Sequence, residues 1–265
     1  DHLVQPDEML PLDKWAVTRL NTLIEKVFAA YDNYEFHVVS HMVNDFCVVD
    51  LSSFYFDIIK DRLYCGEENS LERRSAQSAV WMILDAMTRL FAPILAFTCD
   101  EVWLAMPHRA GDDARNVLLN QMVQPYAAYA LSEEEMGKWA RLAALRTAVN
   151  GALEQARADK TIGKSLEAHV TLSALDAPAA EALKAVREMN LAELFIVSNV
   201  SVADERAREN AVTGSGANFP GLTIEVTEAP GTKCPRCWMH SEQANEEGLC
   251  PRCAEVMKNF VETEL

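Results

Sequence analysis

Long apolar runs, a secretion signal and catalytic signatures are missing from this sequence. No run of about eighteen apolar residues occurs, so no membrane-spanning helix is predicted, and the first residues do not resemble a signal peptide. Residues 161–165 end in Gly-Lys-Ser but lack the first glycine of a phosphate-binding P-loop, so we interpret them as an ordinary loop. The pattern of a serine nucleophile elbow is absent as well. The sequence therefore predicts no catalytic residue.

Cysteine usage indicates a reducing environment. Three of the seven cysteines, Cys47, Cys65 and Cys99, are scattered through apolar helical segments, which is typical of buried thiols in the cytoplasm. The 265 residues, 49% of them hydrophobic, suffice for two or three domains with cores. The first residue is Asp1 rather than Met, which predicts a piece of a longer protein.

The charge is strongly acidic, with 40 Asp and Glu against 24 Lys and Arg and a formal net charge of −16. A generic nucleic-acid-binding protein is usually basic. Residues 233–258 are neutral, however, because four basic side chains balance four glutamates. Any RNA contact must therefore use local basic patches, while the acidic remainder discourages non-specific binding. Alternatively, the charge serves solubility alone.

Apolar residues recur at helical spacing through the first half of the chain. The predicted helices cover about residues 11–34, 39–63, 71–92 and 94–106. Ser70 is the expected N-cap of the third helix, and Pro93 separates the last two. Short links between four long helices predict a bundle. Residues 107–131 form a linker around it, with a possible short strand at 117–122.

The second half of the chain has a mixed pattern of predicted helices and strands. Ser132 and Glu135 form a capping-box pattern that opens a helix to about Ala158. The expected elements that follow are a strand at 167–172, a helix at 178–189, a strand at 194–202, a loop at 211–218 and a strand at 222–226. This order predicts a small α+β domain.

Four of the seven cysteines fall in a twenty-residue window as two Cys-x-x-Cys pairs. Two such pairs are a strong zinc signature, and Pro235 and Pro251 preset the backbone between the paired thiols. Four sulfurs complete a tetrahedral shell, which is typical of a structural site. Two disulfides or chance clustering are the alternatives. The predicted zinc ligands are Cys234, Cys237, Cys250 and Cys253.

Pro230 and Gly231 mark the start of this zinc module, and a tail helix is expected at about 254–261. The sequence thus predicts a mainly α protein in three parts. These are a helical bundle at 1–131, an α+β junction domain at 132–230 and a four-cysteine zinc ribbon with a tail helix at 231–265.

Three further groups of polar residues are interpreted as structural. His37 and His41 stand at helical i,i+4 spacing but lack a third metal ligand, so a surface or packed pair is favoured. His240 follows the first cysteine pair and is interpreted as a flanking residue. Asp100 and Glu101 are interpreted as a solvated face or a structural hydrogen bond rather than acid–base catalysts.

Several stretches resemble the anticodon-binding helical domain of bacterial isoleucyl-tRNA synthetases. They read SFYFDIIKDRLY at 53–64, RRS at 73–75 and APILAFTCDEVW at 92–103. The last is shared with the valyl and leucyl enzymes. IGKSLEA at 162–168 resembles the junction just beyond the bundle in the isoleucyl enzymes, and the four-cysteine module with CPRCW at 234–238 singles out that family. The resemblance covers essentially all 265 residues.

The resemblance implies that the chain reads the anticodon stem-loop of tRNA(Ile) and holds one structural Zn²⁺. The family's His-x-Gly-His and Lys-Met-Ser-Lys-Ser signatures are absent. Attachment of isoleucine to tRNA with ATP is therefore expected of catalytic and editing domains elsewhere in the parent ligase. A cytoplasmic monomer without membrane contact is expected.

Basic side chains and one tryptophan are the candidates for RNA contact, because single-stranded loops are bound by cations and by rings that stack on bases. Those that flank the turn between the second and third predicted helices are Lys60, Arg62, Arg73 and Arg74. Those in the zinc module are Arg236, Trp238 and Arg252. Lys60 and Arg62 could instead pair with Asp61, Glu67, Glu68 or Glu72. The Trp238 ring could instead be the hydrophobic plug of the small module.

Two rival functions are compatible with the sequence. One is a zinc-containing protein-interaction module without RNA binding. The other is a DNA-repair glycosylase, since a related terminal zinc finger occurs in formamidopyrimidine-DNA glycosylases. The catalytic sequence of those glycosylases is absent here.

Overall fold

The computed structural model describes the backbone of residues 3–203, 212–213 and 221–263. Two compact units are present, Asp1–Ser132 and Glu133–Leu265. Helices dominate both, with a small sheet and a two-stranded ribbon in the second. Within the described residues, no helix combines the length and apolar character needed to cross a membrane.

Five α-helices build the first unit, and they follow the predicted bundle. Their bounds are α1 Pro11–Asp32, α2 Phe36–Asp45, α3 Phe56–Cys65, α4 Leu71–Phe91 and α5 Ala96–Ala105. The predicted N-cap of α4 is confirmed, because the Ser70 side chain accepts a hydrogen bond from the Arg73 N–H at 3.3 Å.

One long helical run was predicted between the first and third helices, and the structure divides it. A π-helical segment, Phe46–Tyr55, joins α2 to α3 without a break. Inside it the Ser53 hydroxyl donates to the Val49 carbonyl at 2.6 Å. Side-chain hydrogen bonds of this kind often bend helices.

A cluster around Asp13 lies in the core of the first unit. The Asp13 carboxylate is fully buried and accepts hydrogen bonds from the Tyr55 hydroxyl at 2.7 Å and the Ser75 hydroxyl at 2.5 Å. The Arg62 guanidinium lies 3.3 Å from it. Asp13 thus lies in the first turn of α1 and is also the centre of a buried polar cluster.

The strand expected at 117–122 is wrong: Val117–Leu119 is a short 3-10 helix. The Asn116 side chain accepts from the Leu118 N–H at 2.8 Å, and Asp100 accepts from the Val117 N–H at 3.1 Å. These side-chain acceptors fix a turn where the apolar run alone indicated a strand.

A second buried ion network ties the segment after α5 to α4. Arg89, whose side chain is 7% exposed, lies 2.8 Å from Asp85 and 2.7 Å from Asp112. Arg109 reaches the other oxygen of Asp85 at 2.6 Å. Burial alone would raise the pKa of Asp112, but hydrogen bonds from Arg89 and from the Arg109 backbone hold that pKa below its usual value.

Stability of the first unit should therefore fall in acid, partly through Asp112. A carboxyl with a lowered folded-state pKa stabilises the fold above its unfolded pKa, and this contribution is lost as the pH falls through the folded pKa. Asp112→Asn should cost about 1.5–3 kcal/mol near neutral pH, the range for hydrogen bonds to charged groups, and less in acid. Urea unfolding of the variant near neutral pH and again in acid measures this cost. Asp7→Asn is the control, because Asp7 is exposed. Equal losses at the two pH values would contradict it.

The second unit begins with α6, Glu133–Ala158, as predicted. Its other elements are β1 Ala168–Ala174, α7 Ala177–Val186, α8 Leu191–Phe195, β2 Asn199–Ala203, β3 Val212–Thr213 and β4 Leu222–Glu228. The sheet order is β2-β1-β4-β3. Val170 of β1 faces Val200 in parallel and Val226 in antiparallel register.

The strand expected at 194–202 is wrong in its first half. Residues to Phe195 are helical, because Asn190 caps α8 by accepting from the Glu193 N–H at 3.4 Å. Ile196 then ends the helix in a left-handed conformation, φ 58°. Of the loop expected at 211–218, only β3 is described, and the rest lies outside the described residues.

The zinc module folds as a ribbon followed by a helix. Strands β5, Thr232–Lys233, and β6, His240–Ser241, pair antiparallel. Helix α9, Pro251–Thr263, starts earlier than predicted. Gly231 has φ +91°, and a Cβ there would lie 2.3 Å from the Ser241 carbonyl, so glycine is required at the module's entry.

Candidate metal centre and nucleic-acid interface

The four cysteines of the zinc module converge on one point. Their sulfur atoms all lie within 4.8 Å of one another and all four residues are buried. The Cys237 and Cys250 Sγ atoms are 3.7 Å apart. A tetrahedral zinc with bonds of about 2.3 Å requires sulfurs about 3.8 Å apart, so the cluster fits that ion. All four are free thiols rather than disulfides.

Each cysteine pair belongs to a tight turn. In the first, the Trp238 N–H donates to the Cys234 carbonyl at 2.8 Å. In the second, the Ala254 N–H donates to the Cys250 carbonyl at 2.9 Å, which places Cys253 in the first turn of α9. Both turns follow from the Cys-Pro-Arg-Cys spacing.

The surroundings of the cluster favour thiolate at one sulfur. Burial alone would raise the pKa of Cys234, but backbone N–H donors from Cys237, Cys250 and Arg236 lower it to about 6. The Arg236 guanidinium also donates to the Cys253 sulfur at 3.6 Å. Arg236, a predicted RNA contact, therefore faces the cysteine cluster.

The structure also places the three groups of polar residues that were interpreted as structural from the sequence. Asp100 forms the backbone hydrogen bond described above, which is one of the two structural roles expected for the Asp100–Glu101 pair. His37 and His41 are exposed on α2. His240 is outside the sulfur group. Both its ring nitrogens are buried without a hydrogen-bond partner among the described residues.

The basic candidates of the first unit have different surroundings. Lys60 is half-exposed and pairs with Asp57 at 2.6 Å, one turn away on α3. Arg62 is only 11% exposed and faces Asp13. Neither contact was among the pairings expected from the sequence. Arg73 and Arg74 lie in the first turn of α4, partly buried, and the Arg73 Nε has no hydrogen-bond partner among described residues.

Trp238 is the most exposed ring of the zinc module that the structure describes, at 54%. This exposure fits a binding surface better than a hydrophobic plug. Its φ is +67°, a conformation that bulky L-residues rarely adopt. Strained backbone of this kind is concentrated at functional sites. Arg252 is exposed in the first turn of α9.

Lys164, which lies beside Trp238, and the linked pair Glu167 and Lys233 were not among the sequence candidates. The Lys164 ammonium lies 5.3 Å from the centre of the Trp238 ring, within the range of a cation–π contact. Glu167 accepts from the Lys233 ammonium at 3.1 Å and from the N–H groups of Gly163 and Lys164 at 3.0 and 3.1 Å. The only feature of the sequence that pointed to this turn was its Gly-Lys-Ser motif. The backbone N–H groups of Gly163 and Lys164 in that motif bind the Glu167 carboxylate.

Comparisons with known proteins agree with these features. Residues 13–172 match the family described as anticodon-binding domain of tRNA ligase. Residues 231–256 match a zinc finger described as found in FPG and IleRS. The second match covers the four-cysteine cluster.

Three relatives are isoleucine–tRNA ligases. The protein of Syntrophotalea carbinolica is 43% identical over 96% of this chain and 27% of its own length. That of Geobacter sulfurreducens is 42% identical over 97% and 27%, and that of Moorella thermoacetica 43% over 97% and 28%. The chain thus spans about a quarter of the length of these relatives.

These matches confirm the family resemblance seen in the sequence. The anticodon-binding match alone covers more than half of the chain, and it includes helices α2 to α5 and all but the first two residues of α1. The protein therefore belongs to the anticodon-binding domain family of tRNA ligases.

Proposed function

We propose that this chain recognises the anticodon of tRNA(Ile) as part of an isoleucine–tRNA ligase, whose other domains attach isoleucine to tRNA with ATP. The observation that carries the proposal is the likeness to isoleucine–tRNA ligases across 96–97% of the chain. The anticodon-binding family match over residues 13–172 supports the same conclusion.

The proposed zinc ligands are the four cysteines whose sulfurs lie within 4.8 Å of one another. Zinc in such a closed shell supplies folding free energy. The chain's own residues do the recognition: the exposed Trp238 ring offers a stacking surface, and Arg252, Arg73, Arg74 and Lys60 offer cations. Arg236 supports the cluster through Cys253.

The remaining expectations from the sequence belong to the same proposal. They are the division into parts at 1–131, 132–230 and 231–265, the catalytic and editing domains as partners, a monomer and a cytoplasmic location. The absence of a membrane-crossing helix among the described residues is compatible with them.

The rival is a protein-interaction module without RNA binding. It is favoured by the apolar side chains of Phe97 and Leu104 on α5, which are 93% and 61% exposed. A labelled anticodon stem-loop with an isoleucine anticodon separates the two. Anticodon recognition predicts tighter binding to this RNA than to the same stem-loop with another anticodon. Equal or absent binding would favour the rival.

Arg73 gives a quantitative prediction about phosphate contact. If its guanidinium neutralises one phosphate, Arg73→Gln should weaken binding and lower the slope of log K against log salt by about 0.7, the value for single-stranded RNA. The measurement is a salt titration of the stem-loop complex. Arg115→Gln is the control, because it removes an equal charge from a side chain that is 81% exposed and paired with Asp113. A slope unchanged by Arg73→Gln would remove Arg73 from the interface.

A further inference from the structure

The turn at 163–167 holds the zinc module at two points. Glu167 binds the Lys233 ammonium, which lies on β5, one residue before Cys234. The Ser198 hydroxyl donates to the Leu166 carbonyl at 2.5 Å and accepts from the His240 N–H at 2.7 Å. Both strands of the ribbon are therefore connected to one short turn of the α+β region.

The same turn places a cation over the module's exposed ring. Glu167 accepts the Lys164 N–H and so fixes the backbone from which that side chain extends. The Lys164 ammonium then lies 5.3 Å from the Trp238 ring centre. A Cβ on Gly163 would lie 2.9 Å from the Glu167 carboxylate, so this carboxylate lies close against the backbone of the turn.

We propose that Lys164 and Trp238 form one nucleotide subsite that spans the junction turn and the zinc module, with Glu167 as its positioning residue. A stacking ring beside a cation is the combination used to bind single-stranded nucleotides. The ring takes the base, the ammonium takes the phosphate, and Glu167 fixes the distance between them by holding Lys164 and Lys233 at once. This inference rests on the proposed RNA-binding function and adds residues that the sequence did not indicate.

The strained backbone of Trp238 supports a binding role. Glycine would adopt φ +67° without cost, and the half-exposed indole adds little to the module's buried core. A large ring at such a position is expected where its surface serves a ligand. Trp238→Gly should therefore keep the zinc module folded, which makes it a suitable test variant.

A double-mutant cycle on stem-loop binding tests the subsite in the 265-residue chain. Trp238→Gly should weaken binding by roughly 5- to 150-fold, the range for loss of one stacked base. Lys164→Ala should weaken binding and lower the salt slope by about 0.7. The double variant should lose less than the product of the two single losses, because both side chains hold the same nucleotide.

Glu167→Gln tests the positioning role. It should weaken RNA binding while zinc content and melting temperature stay close to those of the unaltered chain, because the Glu167–Lys233 pair is partly exposed and stabilises the fold little. The loss of binding should shrink in a Lys164→Ala background because Glu167 acts through Lys164. Lys164→Arg keeps the positive charge, so it should retain both the RNA affinity and the slope of log K against log salt. Lys184→Ala, which removes a lysine on α7 of the same unit, is the matched control and should leave both unchanged.

The outcomes separate this inference from the proposed function. If the unaltered chain fails to bind the stem-loop, the proposed function is wrong and the subsite with it. Suppose instead that the unaltered chain binds the stem-loop. Only the subsite is then wrong if Lys164→Ala behaves like Lys184→Ala. The same holds if the loss of affinity in the double variant equals the product of the losses in Trp238→Gly and Lys164→Ala. A loss of zinc or of thermal stability in Glu167→Gln would assign Glu167 to folding and overturn its positioning role.

Discussion

Cys250→Ser is expected to unfold residues 231–263 while the helices of the first unit stay folded. The module has a two-stranded ribbon and one helix, which is too little apolar surface to fold without the metal. Zinc binding contributes about 10–16 kcal/mol of apparent free energy in small zinc modules. Losing one of four thiolates removes much of that contribution. Hydrogen exchange of the two regions, together with zinc content, measures the result.

The control is Cys47→Ser, because Cys47 lies in the π-helical segment of the other unit. It should leave the zinc content and the exchange of the module unchanged. A chelator should reproduce the effect of Cys250→Ser in the unaltered chain. Zinc affinity should also fall in acid, because each ligand must be a thiolate. A module that stays protected from exchange in chelator would contradict the zinc assignment.

The zinc cluster was predictable because its ligands are close in the sequence. Two Cys-x-x-Cys pairs fix four ligands within twenty residues, and no long-range packing is needed to bring them together. The N-cap at Ser70 and helix α6 were predictable for the same reason, since capping residues and apolar periodicity are local signals. The family resemblance likewise rested on short continuous motifs.

The arrangement around Trp238 was not predictable, because its partners are distant in the chain. Glu167 and Lys233 are 66 residues apart, and Ser198 and His240 are 42 apart. A lysine in a loop and a glutamate in a strand pattern carry no sign of such pairing. The two strand errors have another cause: at 117–122 and 194–202, side chains of Asn116 and Asn190 cap helical turns within apolar runs.

Arg62 illustrates how a basic residue near a turn misleads a sequence-based assignment. Its position between Lys60 and the 66–69 turn suggested an RNA contact, but its partner Asp13 lies 49 residues away in α1. With 11% of its side chain exposed, Arg62 contributes charge to the core rather than to the surface. The structure thus favours a folding role for Arg62, and its RNA contact stays an untested prediction.

Asp13→Ala should be among the most destabilising single changes in the first unit, at about 3–5 kcal/mol. Removing one partner of a buried ion pair leaves the other charge without compensation, and here the Tyr55 and Ser75 hydroxyls lose an acceptor as well. A loss of this size is a large share of the roughly 5–15 kcal/mol that stabilises a typical domain. Urea unfolding followed by helical circular dichroism measures it.

The matched control is Asp57→Ala, which breaks the Lys60 pair on the surface of the same unit. Both partners of that pair are more than a third exposed, so its loss should cost only about 0–1 kcal/mol. Equal costs for the two substitutions would contradict the central role of Asp13. Arg62→Ala extends the test: if Arg62 serves the fold, this variant should lower the unfolding free energy. RNA binding measured below its melting temperature should then stay within about twofold of the unaltered chain, a difference of under 1 kcal/mol.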